Sequence, residues 1–298
     1  MLSIDPKELP IPQLHGYLLG AVGPRPIAFA STIDADGNAN LAPFSFFNVF
    51  SANPPIMVFS PARSGRTNTT KDTYNNVKNI AEVVINVVSH EMVHQMSLAS
   101  SPFAADVDEF AKAGFTKIAS DTIKPFRVAE SPVQFECVVN EVVELGQNGG
   151  AGNLVICEVK KIHINEAVLD EDGKIDQHKI DLVSRMGGNW YCRADEHSMF
   201  EIKKPITTVG IGFDAIPEDI RNSSLLTNND FGQLGGIEEL PNETDVNEYK
   251  LLELSDLFVS LEDEQAKLEL ELHKRAKELL TENKLDEAWM TLLSFNNN

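Results

Sequence analysis

The sequence predicts a mainly β chain of the α+β class. Its expected core is an antiparallel barrel, closed or partly closed, with helices packed outside and a helical extension at the C-terminal end. Three observations carry this expectation. Up to about residue 205 the apolar residues fall in short runs separated by Gly, Pro and Asn turns, the pattern of many short strands. No βαβ alternation, GxGxxG or P-loop appears, which argues against a parallel nucleotide-binding sheet. From about residue 245 the apolar period becomes that of a helix.

Each element follows in chain order. Pro26–Thr32 is an apolar strand, and Asp34-Ala35-Asp36-Gly37-Asn38 is a hairpin turn signal. Asn40–Val49 is the next β run, closed by the Asn53-Pro54-Pro55 turn, and Ile56–Ser60 follows it. A polar, hydroxyl-rich segment, Pro61–Thr73, precedes a short helix at about Tyr74–Ala81. Glu82–Val88 reads as a buried strand. Ser89–Ala99 reads as a helix with Met92, Met96 and Ala99 on one side, and Asp106–Ala113 as another, stopped by Gly114. Val133–Leu145 and Asn153–Ile164 are long β runs joined by the flexible Gly146–Gly152. Lys203–Gly212 is one more strand candidate, in a loop-rich stretch that continues to about Pro241. Beyond it, Leu268, Leu272, Ala276, Leu279 and Leu280 line one helix face, and Leu285, Ala288, Trp289, Leu292 and Leu293 a second. The organisation expected is therefore 1–205 as the barrel, 206–244 as a tail packed on it, and 245–298 as an acidic helical extension. That extension either docks on its own barrel or across a dimer, or serves as a separate protein-binding appendage.

The chain has 298 residues and a formal net charge of -20. A duplex-binding surface needs a basic face to displace counterions, so nucleic acid is excluded as a partner. The acidity itself reads as solubility. Cys137, Cys157 and Cys192 are too few and too scattered for a disulfide framework. The opening residues MLSIDPKELP lack a leader's basic and apolar regions, and no apolar run approaches membrane length, so a cytoplasmic location without membrane attachment is expected. His90 and His94 have helical ligand spacing but no evident third ligand, so no metal site is expected.

Inside this acidic chain lies a basic island. Residues 61–78, PARSGRTNTTKDTYNNVK, hold Arg63, Arg66, Lys71 and Lys78 against the single acid Asp72. Cations, hydroxyls and a following helix N-terminus are the groups that hold a phosphate monoester. The same segment also reads as a solvated loop whose Asp72 or Thr73 caps the helix. Upstream, Asn40–Asn48 carries Phe44, Phe46 and Phe47 in four positions. This is either a core strand edge or a flat apolar wall for a planar ligand, with Ser45 and backbone groups bonding its polar rim. Together the two segments suit an aromatic ring with a phosphate tail, such as flavin mononucleotide (FMN).

At these residues the sequence resembles the flavin reductase-like proteins with an FMN-binding split barrel, the group that includes flavoredoxin. The matching residues are Arg25-Pro26, Ser31-Thr32, Asp36-Gly37, Asn40–Phe47, Pro54-Pro55, Lys71-Asp72-Thr73, Phe135-Glu136-Cys137, Glu158-Val159 with His163, and Arg185-Met186-Gly187-Gly188 with Tyr191. They occur in the family's order over roughly residues 20–200. The resemblance implies a Greek-key split barrel, a homodimer and FMN near the dimer interface. It places the isoalloxazine against Thr32 and Pro43, Phe44, Ser45, Phe46 and Phe47. It places the phosphate near Ser60, Arg66, Lys71 and Thr73, brings Arg185 and Tyr191 toward the same site, and leaves Asp72 as a helix cap or a partner for Lys71.

In such a protein the flavin carries the redox chemistry and the chain supplies binding and orientation, so no catalytic side chain is assigned. NADH, NADPH or a protein donor would supply electrons. Free flavin, ferric iron, another small redox substrate or a partner redox protein would receive them. One departure bears on the donor. Related short-chain flavin reductases carry a histidine in the glycine-rich loop that here reads Gly149-Gly150-Ala151-Gly152-Asn153, and Cys157 stands where they have glycine. An electron carrier reduced by another protein is the alternative this raises. A non-catalytic flavin-binding module that docks a partner through its C-terminal helices is the other. A pyridoxamine phosphate-oxidising or haem-binding split barrel is disfavoured by Lys71-Asp72-Thr73 and Leu41–Phe47.

Overall fold

The computed structural model describes residues 1–202 and 204–295. The chain forms two compact units, Met1–Phe200 and Glu201–Asn298. Among the described residues no helix is long and apolar enough to cross a membrane.

The first unit begins with α1 (Ile11–Ala21). Proline in its first turn removes an N–H that would have no partner there. The sheet strands follow: β1 (Ala28–Ile33), β2 (Ala39–Phe44), β3 (Phe47–Ala52), β4 (Pro55–Phe59) and β5 (Glu82–Asn86). Asp34 makes the expected turn between β1 and β2. Its Oδ1 accepts the N–H groups of Asp36 and Asn38, and Gly37 takes the left-handed φ of 87°. The helices α2 (Asp72–Asn79), α3 (Val93–Ala99) and α4 (Glu109–Ala113) flank β5, and a two-residue ladder joins β6 (Lys117–Ile118) to β7 (Arg127–Val128). The long strands β8 (Val133–Glu144) and β9 (Asn153–Ile164) complete the sheet, and a hairpin of β10 (Val183–Arg185) and β11 (Tyr191–Arg193) ends the unit.

Seven strands pair antiparallel in the order β2-β1-β5-β8-β9-β4-β3. The two edge strands, β2 and β3, are consecutive in sequence with only Ser45 and Phe46 between them. Three successive Cα steps span at most about 11 Å, so the sheet must curl until its edges meet at that corner. The single β run expected over Asn40–Val49 is therefore two strands on opposite edges. The burial agrees with the curl. Ala28, Ala30, Met57, Phe59, Val83, Ile85, Val139, Val155 and Val159 form one core drawn almost wholly from strands, a sheet face packed on itself. The other face buries Phe29 and Leu41 under Met92 and Met96 of the α3 region and Phe110 of α4. Cys137 and Cys157 lie in the inner core, and their shared hydrogen bond and burial push the Cys137 thiol well above its ordinary range, as suits an inert buried thiol.

The second unit is helical: α5 (Glu218–Arg221), α6 (Asn228–Leu234), α7 (Glu243–Glu253), α8 (Ser255–Ser260), α9 (Gln265–Thr281) and α10 (Leu285–Leu293). Thr227 and Asp230 close a reciprocal capping box at the start of α6. Ile216, Ile220, Phe231 and Leu234 share one core with Ala276, Leu279, Ala288 and Trp289. Within the second unit, residues on both sides of position 244 contribute to a single hydrophobic core. The indole N–H of Trp289 donates to the Leu234 carbonyl at 3.1 Å across that line. The strand expected over Lys203–Gly212 is not present over 204–212, and Lys203 lies outside the described residues.

Candidate functional site

The connection from β4 to α2 is a tight, self-bonded loop. Arg63 donates to the Asn68 side chain at 2.8 Å and to its carbonyl at 2.6 Å. Asn68 takes a left-handed φ of 56°, a conformation asparagine tolerates better than most residues. The Gly146–Gly152 connection packs directly on this loop. A Cβ on Gly149 would stand 2.9 Å from the Ser64 carbonyl, so only glycine permits the approach. Ser60 Oγ accepts the Asn153 N–H at 3.0 Å, and Asn153 Nδ2 donates to the Pro61 carbonyl at 2.9 Å.

Lys71 is the N-cap residue of α2, in extended conformation, and no side chain caps the helix. This corrects the expected roles of Asp72 and Thr73 as caps. Asp72 lies inside the first turn and pairs with no lysine among the described residues, so it is neither a cap nor a partner for Lys71. The helix starts two residues before the expected Tyr74, which leaves its first amides and positive dipole end open. The four cations of the basic island divide into two kinds. Arg63 is consumed by Asn68, and Lys78 bonds Glu144 at 3.4 Å beside Tyr74, whose hydroxyl donates to the same carboxylate at 2.6 Å. Those bonds, Tyr74 first, hold the Glu144 carboxyl down at about 2. Arg66 and Lys71 have no side-chain hydrogen bond or ion pair among the described residues.

Arg66 and Lys71 line a cleft of about 970 Å³. Pro43, Phe44, Ser45 and Phe46 of the β2–β3 corner line it too, as do Ser60, Asp72, Thr73 and Arg185. Phe44 packs on Phe59 with the rings tilted by 36° and their centroids 5.6 Å apart, and Phe46 meets the His15 ring edge-on at 6.3 Å. Three predicted site residues are not on its wall. Thr32 is fully buried, and its Oγ1 accepts from Asn40 Nδ2 at 3.1 Å and Asn76 Nδ2 at 3.0 Å. Asn40 Nδ2 also donates to Thr73 Oγ1 at 2.9 Å, so Thr32 ties β1, β2 and α2 together behind the wall. Phe47 packs on the inner core. Tyr191 lies 4.6 Å under the Arg185 guanidinium and backs that side chain.

The cleft also has residues that sequence reasoning did not place there. His15 and Leu19 come from α1, which buries none of its own residues and so gave no periodic apolar face to read. Ser100–Phe103 follow α3. Glu109, at the start of α4, is nearly buried, and its Oε2 accepts the Leu41 N–H at 3.1 Å on the open edge of β2. Burial raises its carboxyl above the ordinary range, and Asp72 and Asp108 add to the rise. Arg25 is another, known from sequence only as part of the Arg25-Pro26 pair.

Residues 21–179 match the flavin reductase like domain, and the chain belongs to that family. A protein of Aquifex aeolicus is 37% identical over 188 residues, 63% of this chain and 93% of its own length. Among solved structures, component B of the nitrilotriacetate monooxygenase of Bacillus cereus is 30% identical with a TM-score of 0.63, covering 68% of this chain and 98% of that one. The 2-nitrobenzoate 2-nitroreductase of Pseudomonas fluorescens is 26% identical with a TM-score of 0.60, covering 70% and 100%. The chain is thus of a flavin-binding oxidoreductase family, and these relatives match over about two thirds of it.

Proposed function

We propose that Met1–Phe200 is an FMN-dependent oxidoreductase on a Greek-key split barrel, passing electrons from a reduced nicotinamide or a protein donor to free flavin, ferric iron, another small redox substrate or a partner redox protein. The observation that carries this is the pairing of two cations unpartnered among the described residues, Arg66 and Lys71, with the uncapped start of α2, in one cleft with the Pro43–Phe46 wall. The donor set fits a phosphate monoester: two charge-assisted donors, free helix amides and the hydroxyls of Ser60 and Thr73. The Pro43–Phe46 segment offers an apolar wall on which a planar ring would lie, with Ser45 Oγ and backbone amides to meet its polar rim.

Bound flavin would supply the electron transfer itself. The chain's part is then positional. Thr32, Asn40 and Asn76 fix Thr73 and the helix start against β2, and Glu109 holds the edge of β2 by its bond to the Leu41 amide. Tyr191 holds the Arg185 plane at one wall of the cleft. Two apolar surfaces support a homodimer: α1, which buries nothing although it carries Ile11, Tyr17 and Leu18, and the edge strand β3, which exposes Val49 and Phe50.

The carrier reading has its own support. Gly149 and Gly152 are taken up by packing on Ser64 and Ser60, and the loop presents no titratable side chain of its own. The visible spectrum of the purified protein tests the proposal. Bands near ~370 and ~450 nm are expected, on reconstitution if not as purified. A protein that stays colourless with added FMN contradicts it. Anaerobic bleaching by NADH or NADPH then marks a reductase, and resistance to both marks a carrier fed by another protein.

A further inference from the structure

Arg25 and Arg185 stand directly opposite one another in an isolated antiparallel bridge. The Arg25 amide donates to the Arg185 carbonyl at 2.9 Å, and the Arg185 amide to the Arg25 carbonyl at 2.8 Å. Residues paired in this way send their side chains to the same face, with Cβ atoms roughly 4.5–5.5 Å apart, and like charges so placed repel. Arg25 is only 6% exposed. Burial and the charge of Arg185 both hold its guanidinium below the usual arginine range, and no carboxylate acts in the other direction.

The fold holds the pair in place with neutral groups alone. Arg25 donates to the Leu19 and Val22 carbonyls at the end of α1, to the Met186 carbonyl at 2.9 Å, and to Ser45 Oγ at a long 3.5 Å. Arg185 donates through Nη1 to the Trp190 carbonyl at 3.0 Å, and its plane rests on Tyr191. Its Nε and Nη2 have no acceptor among the described residues. Gly187 lets the loop after Arg185 close on α1, since a Cβ there would stand 3.1 Å from Gly20 Cα. The outcome is two guanidinium groups lining the cleft, and among the described residues no carboxylate bonds either of them, although Asp72 and Glu109 line the same cleft.

We propose that Arg25, Arg185 and Ser45 form a second anion site of the cleft, which takes the carboxylate of a small organic ligand and is separate from the phosphate site at Arg66 and Lys71. Two adjacent guanidinium groups left without a bonded counter-charge are relieved by an anion between them. The open edge of Arg185, with its plane fixed by Tyr191, matches the two oxygens of a carboxylate in a bidentate pair.

The site stands whether or not the cleft holds a flavin, so the test is run both ways. Calorimetric titration of the full chain with benzoate and with its neutral isostere benzamide, each with and without FMN, reads it directly. Benzoate is expected to bind at least about tenfold more tightly than benzamide, through charge-assisted bonds that the amide cannot make. Arg185→Gln should abolish that preference, Arg185→Lys should keep part of it, and Lys71→Ala should leave it intact. Equal binding of benzoate and benzamide to the unaltered protein overturns the proposal without any variant having to fold. Exclusion of benzoate by FMN also overturns it, because the pair would then belong to the cofactor's own site. A protein that binds benzoate but no flavin would contradict the proposed function and leave this site standing.

Discussion

Around Glu136 the charges pair with one another, whereas among the described residues four cations of the cleft bond no carboxylate. Glu136 is wholly buried on β8. It accepts the Asp121 amide at 2.8 Å, the Thr122 amide at 2.7 Å, the Thr122 hydroxyl, and His163 at 2.7 Å, with Arg127 at 3.8 Å. Asp121 is shared in turn between Lys161 and Arg127. Burial alone would raise the Glu136 carboxyl, but the bonds from Thr122, Asp121 and His163 win and hold it at about 2. Arg25, Arg66, Lys71 and Arg185, by contrast, line a cleft, and no carboxylate among the described residues bonds any of them. Folding tends to satisfy its own charges, so a charge left unsatisfied inside a cleft points to a ligand. The Glu136 network is scaffold by the same measure.

Breaking the scaffold should have the largest effect on stability. Glu136→Ala strands Arg127 and His163 beside a buried gap and should cost about 3 kcal/mol in urea unfolding. FMN affinity, measured under conditions where the variant stays folded, should not change. The same carboxylate sets an acid limit. Its folded value of about 2 lies below the roughly 4.3 of an unfolded glutamate, so the unfolded chain binds more protons between the two. Its stabilisation is therefore complete above about pH 5 and is lost as pH falls toward 2. Glu136→Gln should flatten that dependence, and an unchanged acid profile would remove Glu136 as its source.

The cleft should behave in the opposite way. Lys71→Ala is expected to weaken FMN binding by about 1.5–3 kcal/mol with little change in the unfolding midpoint. Thr32→Val, which removes the acceptor for Asn40 and Asn76, comes next. It should cost about 1–2 kcal/mol of stability and loosen FMN only secondarily, because Thr32 acts from behind the wall. Lys78→Ala is the smallest, below about 0.5 kcal/mol, because its bond to Glu144 is exposed. A Lys78 variant that lost FMN as Lys71→Ala does would erase the distinction between the two halves of the basic island.

What could be read from sequence was local. Pro43–Phe46 and Arg66–Thr73 are contiguous segments, and a charge reversal within eighteen residues is visible without knowing the fold. What could not be read depends on distant pairings. The carboxyl of Glu109 reaches an amide 68 positions away, and Arg25 meets a carbonyl 161 positions away. The resemblance implies a ring contact for Thr32, while its hydroxyl bonds an asparagine pair behind the wall; a strand hydroxyl looks the same in sequence in either setting. The break at Ser45-Phe46 was hidden because both flanking strands are apolar, and only their pairing partners put them on opposite edges. In the second unit the helix faces of 268–293 were plain from their period. Their shared core with 216–234 was not, since the latter stretch is rich in Asn, Gly and Ser.

The most direct test of the central claim is a paired titration of the full chain with FMN and with riboflavin, which differ only in the phosphate. If Arg66, Lys71 and the open start of α2 hold a phosphate, FMN should bind at least about 100-fold more tightly, and Lys71→Ala should remove most of that difference. Equal affinity for the two flavins would contradict the account.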